Sequence, residues 1–148
     1  MINKPRLIVA ILVIGSLTIS TYIAIDLLRP KGILVSDATF TLTPDGGGIY
    51  MRIQNGLDKT ICLVGADILE LEGESVTIHQ TVREGGLEMM KPVDEICIEP
   101  GEEFRLERGG YHIMFKGGDV SELDTLKVKL IFRDGEEVVV EAKKKLTL

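Results

Sequence analysis

Residues 126–142 read Leu-Lys-Val-Lys-Leu-Ile-Phe-Arg-Asp-Gly-Glu-Glu-Val-Val-Val-Glu-Ala. From Leu126 to Leu130 apolar and basic residues alternate one for one, which is the period of a strand with one face buried. Asp134-Gly135 tolerates the positive φ of a tight turn. A second β-branched run follows at Glu137–Ala142, so the stretch predicts a hairpin. The same pattern extends backwards through the chain. Ile33–Thr43, Ile49–Gln54, Thr60–Leu71, Ser75–Val82, Glu103–Glu107 and Tyr111–Phe115 are all rich in β-branched and aromatic residues. Pro44-Asp45-Gly46-Gly47-Gly48, Asn55-Gly56, Glu72-Gly73-Glu74 and Glu84-Gly85-Gly86 punctuate them. Eight short strands with turns between them predict an all-β body over residues 32–148, a sandwich or Greek-key barrel.

The N-terminus reads differently. Leu7–Ile25 is an uncharged apolar stretch preceded by Lys4 and Arg6. As a helix it would rise about 28 Å, close to the hydrocarbon thickness of a bilayer. It exceeds the apolar core of a cleaved signal peptide, and no A-x-A follows it. Residues 1–31 are therefore expected to be an N-terminal signal anchor and short linker, ended by Arg29-Pro30-Lys31-Gly32. A cleaved signal peptide is the alternative. Either reading places residues 32–148 outside the cytoplasm. The basic residues on both flanks make the positive-inside rule a weak guide to orientation.

Of the 148 residues, 17 are basic and 23 acidic, a net charge of −6 that is unevenly shared. Residues 1–31 carry four basic residues and Asp26, and the rest of the chain carries −9. An acidic body repels phosphate backbones, and a chain without Trp has little to stack on bases, so nucleic-acid binding is excluded. No nucleophile elbow, zincin helix, phosphate-binding loop or dinucleotide fingerprint occurs, so no enzyme is expected. The Lys143–Lys145 run reads as a solvated strand end, with docking as the alternative.

The scarce soft donors cluster. His79 and His112 are the two histidines of the chain, and Met89, Met90 and Met114 share their window. Residues i and i+2 of a strand project to one face, so His112 and Met114 are side by side. Neutral imidazole and thioether select monovalent copper over harder cations. Packing is the competing role for a lone His or Met on a strand.

From about Val35 to Thr147 the sequence resembles the periplasmic copper chaperones called PCu(A)C. His79, ten residues, Met90, twenty-one residues, His112, one residue, Met114 fits their H-x10-M-x21-H-x-M signature. Ile49–Asn55, Leu63–Ala66, Met90–Val93 and Gly109–Met114 are similar to the family's "AYMTIxN", "LVGA", "MRPV" and "GGYHIM" segments. The resemblance implies a cupredoxin-like β-sandwich that binds one Cu(I) per chain at His79, Met90, His112 and Met114. It also implies delivery toward the binuclear copper centre of a haem–copper oxidase, through a copper-receiving partner, and no enzymatic activity. Three departures stand out. Arg83 and Glu88 occupy positions where many members carry Met, and Met89 sits beside the second. The C-terminus lacks the Met- and His-rich tail of many members. The apolar N-terminus reads as a tether where most members have a cleaved signal.

Within that reading His112 and Met114 form a rigid half on a strand. His79 and Met90 form an adaptable half, with Met90 in a loop-like segment. Tyr111 falls on the opposite face. Cys62 and Cys97 leave three alternatives open: a disulfide, two buried thiols, or copper ligation. A blue-copper electron carrier would need a Cys within a few residues of His and Met, and Cys97 is too far from His112 for that. The remaining rival is a membrane-anchored β-sandwich that serves as a structural or interaction domain without metal.

Overall fold

The computed structural model describes residues 31–71, 73 and 75–145, together with 12–16, 18–21 and 23 of the N-terminal segment. The chain divides into two units, Met1–Lys31 and Gly32–Leu148. In the first, the described residues other than Lys31 are helical. The hydroxyls of Ser16, Thr18 and Thr21 each donate to the carbonyl three residues back, at 2.9 Å. Such back-bonding satisfies hydroxyls inside an apolar helix. Among the described residues no helix is long and apolar enough to cross a membrane. Residues 7–11, 17, 22, 24 and 25 of the expected span lie outside the described ones.

The second unit is all-β. Its strands are β1 (Ile33–Thr43), β2 (Gly46–Asn55), β3 (Ile61–Ile68), β4 (Ser75–Glu84), β5 (Leu87–Pro92), β6 (Ile96–Ile98), β7 (Glu103–Leu106), β8 (Tyr111–Lys116), β9 (Thr125–Phe132) and β10 (Glu137–Lys144). Eight of these are the strands expected from the period-two runs. The short strands β5 and β6 were not expected. Neither carries an alternating apolar pattern long enough to stand out, because β5 is exposed throughout and β6 has three residues.

Neighbours run β5-β4-β8-β2-β1-β10-β9-β3-β6, with β7 also paired to β2. The insertion of β8 between β4 and β2, and of β10 and β9 between β1 and β3, produces the crossovers of a Greek-key sandwich. β1 is the hinge between the halves. It pairs with β2 along its length, and in parallel with β10 only at Thr39 and Phe40. Its register shifts between Ser36 and Thr39, where Asp37 takes a φ of 53°. A bulge of this kind bends the strand and re-aims it.

Alternation explains which residues form the core. On β9, Leu126, Val128, Leu130 and Phe132 are buried while Lys127 is exposed. They meet Ile49, Met51 and Ile53 of β2 and Ile113 and Phe115 of β8 in one cluster. Burying each such side chain contributes about 1.5–3 kcal/mol. The fully buried Asn55 ties the far end together. Its Nδ2 donates to the carbonyls of Lys59 and Ile98, and its Oδ1 accepts from Leu57 N.

Candidate metal centre

β8, β4 and β5 form an antiparallel ribbon in which opposite residues share a face. His79 of β4 lies opposite His112 of β8, and Thr77 lies opposite Met114. On the other edge of β4, Thr81 lies opposite Met90 of β5. Thr77, His79 and Thr81 alternate along β4 onto the same side, so the pleat puts His79, Met90, His112 and Met114 on one face. The intervening Ile78, Ile113 and Phe115 point into the core and are buried. The expectation of a loop at Met90 is corrected: the residue is on a strand. It is also the most exposed of the four, at 57%, because β5 is the edge of the sheet.

The two imidazoles are prepared differently. The His112 ring is 4% exposed, and its Nδ1 lies 3.2 Å from the Gly110 carbonyl. With Nδ1–H donating there, Nε2 keeps its lone pair. On His79, Nε2 lies 2.9 Å from the Thr77 hydroxyl, while Nδ1 is buried without a hydrogen-bond partner. A buried, unpartnered ring nitrogen beside a second imidazole is a vacant donor position. Burial first, then the neighbouring His112 and Lys116, hold the His79 imidazole below the ordinary histidine value. The neutral imidazole is therefore favoured near pH 7.

The rings stand at a centroid separation of 6.1 Å. An imidazole nitrogen binds such metals at about 2.0 Å, which puts the ring centre roughly 3 Å from the ion. Two rings on opposite sides of one ion are thus about 6 Å apart, and this pair fits. With two thioethers on the same face the donor set is neutral and soft.

Tyr50 roofs His112, with ring centroids 6.3 Å apart. It can lie along β2 because position 48 is glycine: a Cβ there would stand 2.6 Å from the Tyr50 hydroxyl. Gly48 in turn pairs with Met114. Gly47 has a related role, since a Cβ there would meet the Phe115 ring at 2.4 Å. Tyr50 was missed in the sequence. The available signal was Gly-Gly-Gly immediately before an aromatic at i+2 of the last glycine. Tyr111, as expected, falls on the other face, edge-on to Phe104 at 5.3 Å.

Arg83 and Glu88, which stand where the resembling family has extra methionines, are opposite each other across the β4–β5 hairpin. They are ion-paired at 2.6 Å. By alternation this pair lies on the same face as the two histidines, outward of Met90. Beyond Tyr50, an open hollow of about 620 Å³ is lined by Thr39, Arg52, Arg105, Arg108 and Lys145 among others. Cys62 and Cys97, for which three states were open, are disulfide-bonded across β3 and β6.

An all-β sandwich with two imidazoles opposed across neighbouring strands defines a class, and the comparisons narrow it. The profile of the LpqE-like lipoproteins matches residues 33–143, and the chain belongs to this LpqE-like family. Solved structures with the same fold include the copper-bound PCuAC domain from PmoF2. It has a TM-score of 0.61 and 18% identity, covering 78% of this chain and 93% of that one. The apo PCuAC domain from PmoF1 gives a TM-score of 0.59 and 20% identity, over 78% and 94% of the two chains. At these identities the likeness speaks for the fold alone. No curated protein matches the chain significantly.

Proposed function

We propose that the chain is an extracytoplasmic copper chaperone that binds one Cu(I) at His79, Met90, His112 and Met114. The observation that carries this reading is the register of the β8–β4–β5 ribbon. It sets two imidazoles opposite each other, one with a buried unpartnered Nδ1, on the face that also bears two thioethers. The copper-bound neighbour of similar fold supports the choice of metal. Four neutral ligands leave the positive charge of the ion uncompensated. The ion therefore stays exchangeable toward a partner whose ligands are thiolates. Met90 on the edge strand is the ligand a partner reaches first, and His112 beneath Tyr50 is the last to let go.

The partner in this reading is a copper-receiving protein serving the binuclear copper centre of a haem–copper oxidase, and the chain itself is not an enzyme. The apolar Leu7–Ile25 segment serves as the membrane tether. The lipoprotein family supports the extracytoplasmic location.

Anaerobic titration of the oxidised chain with Cu(I) against a competing chelator tests the reading. One tight, colourless equivalent is expected. No competitive uptake would leave the rival, a structural domain whose histidines are packing residues. An intense blue Cu(II) form would indicate electron transfer instead.

A further inference from the structure

Cys62 and Cys97 face each other in register on β3 and β6. β3 and β6 pair with neither β4 nor β8, so these cysteines are on different strands from the histidine pair. β6 is an edge strand that pairs with β3 alone. Cys97 is exposed and Cys62 half-buried. Glu95, half-buried and just before β6, completes the group. One ligand atom from each of Cys62, Glu95 and Cys97 lies within 4.8 Å of the others.

The backbone holds the sulfurs in place independently of their bond. Ile61 and Leu63 flank Cys62, and Ile96 and Ile98 flank Cys97, and all four are buried in the core. The ladder itself pairs Ile61 with Ile98 and Leu63 with Ile96. Reduced thiols would therefore remain neighbours. Arg133 ties the group together: its guanidinium is ion-paired with Glu95, and its backbone N–H donates to the Cys62 carbonyl at 2.9 Å.

We propose that Cys62, Cys97 and Glu95 form a second, redox-gated Cu(I) site, closed while the disulfide is intact. A dithiol reductant opens it. One reductant thiolate attacks the exposed Cys97 sulfur, forming a mixed disulfide and releasing Cys62 as thiolate. The second reductant thiol then displaces Cys97 by attacking its own partner sulfur. The reductant leaves as its disulfide, having supplied two electrons. Its two protons pass to the cysteines and are released to water when Cu(I) takes the thiolates. Two thiolates suit a soft ion of low coordination number, with the Glu95 carboxylate as a weaker third donor, whereas structural zinc takes four ligands.

The test uses the full chain in detergent, as isolated and after phosphine reduction and anaerobic desalting. Each form is titrated with the tetrakis-acetonitrile complex of Cu(I) against a competing chelator. The reduced form is expected to bind one equivalent more than the oxidised form, with an ultraviolet thiolate-to-copper band. Its far-UV circular dichroism stays unchanged. Blocking the reduced thiols with iodoacetamide, or the joint Cys62→Ser and Cys97→Ser change, removes the gain. Glu95→Gln weakens the added site about tenfold. Equal stoichiometry in both forms, a gain that survives alkylation, or loss of the fold on reduction overturns the proposal. The oxidised baseline separates it from the histidine–methionine face: failure of that face lowers the baseline and leaves the increment.

Discussion

His79 and His112 stand directly opposite each other across the β4–β8 ladder, with ring centroids 6.1 Å apart. They come from runs 33 positions apart in the chain, and only the antiparallel register makes them a pair. The same ladder sets Met114 opposite Thr77, and the β4–β5 ladder sets Met90 opposite Thr81.

Exchange of Met114 for Ile keeps strand propensity and removes the sulfur. Cu(I) affinity should fall at least tenfold, about 1.4 kcal/mol, while thermal unfolding of the metal-free chain changes little. Competition titration reads the first quantity and calorimetry the second. Unchanged affinity would remove Met114 from the site.

Acidification should weaken Cu(I) binding in a defined window. Protons and copper compete for the same imidazole lone pairs, and the thioethers do not titrate. Because the His79 value lies below the ordinary one, binding should hold from pH 8 down to about 6.5 and weaken below it. The metal-free fold follows the same sign. The unfolded chain takes up the His79 proton more readily than the folded one, so stability declines as pH falls through about 6.5 toward the lower folded value. A flat affinity curve would show that neither histidine binds the metal.

Gly48→Ala should disturb the roof over His112 without touching a ligand. The added Cβ would overlap the Tyr50 hydroxyl, so the ring must swing away from His112. Faster Cu(I) loss to a chelator in stopped flow, with Tyr50→Ala giving the same change, is the expected result. Equal rates in all three chains would show that Tyr50 does not gate the site.

Asn55→Ala should cost about 2–4 kcal/mol, since it strands the buried Ile98 carbonyl and removes the partners of the half-buried Lys59 carbonyl and Leu57 N–H. Urea denaturation measures this, and a loss under about 1 kcal/mol would show that water replaces the side chain. Reducing the disulfide should cost a comparable ~4 kcal/mol by closing no loop in the unfolded chain. The domain should stay folded at 25 °C.

The sequence by itself determined the β class, eight of the strands, and the identity of the soft donors. Period-two burial is written locally, as Leu126 to Leu130 shows, and a strand's i, i+2 geometry already placed His112 beside Met114. The disulfide stayed open in the sequence because two cysteines 35 positions apart carry no sign of whether their strands are adjacent. Met90 was read as a loop residue because an exposed edge strand has no buried face to impose alternation. Tertiary structure alone decided that β4 lies between β5 and β8, that Arg83 meets Glu88 where thioethers might have stood, and that Tyr50 covers His112. These are matters of register and strand order. They are set by long-range backbone pairing and by how the core closes, so no local stretch of the chain encodes them.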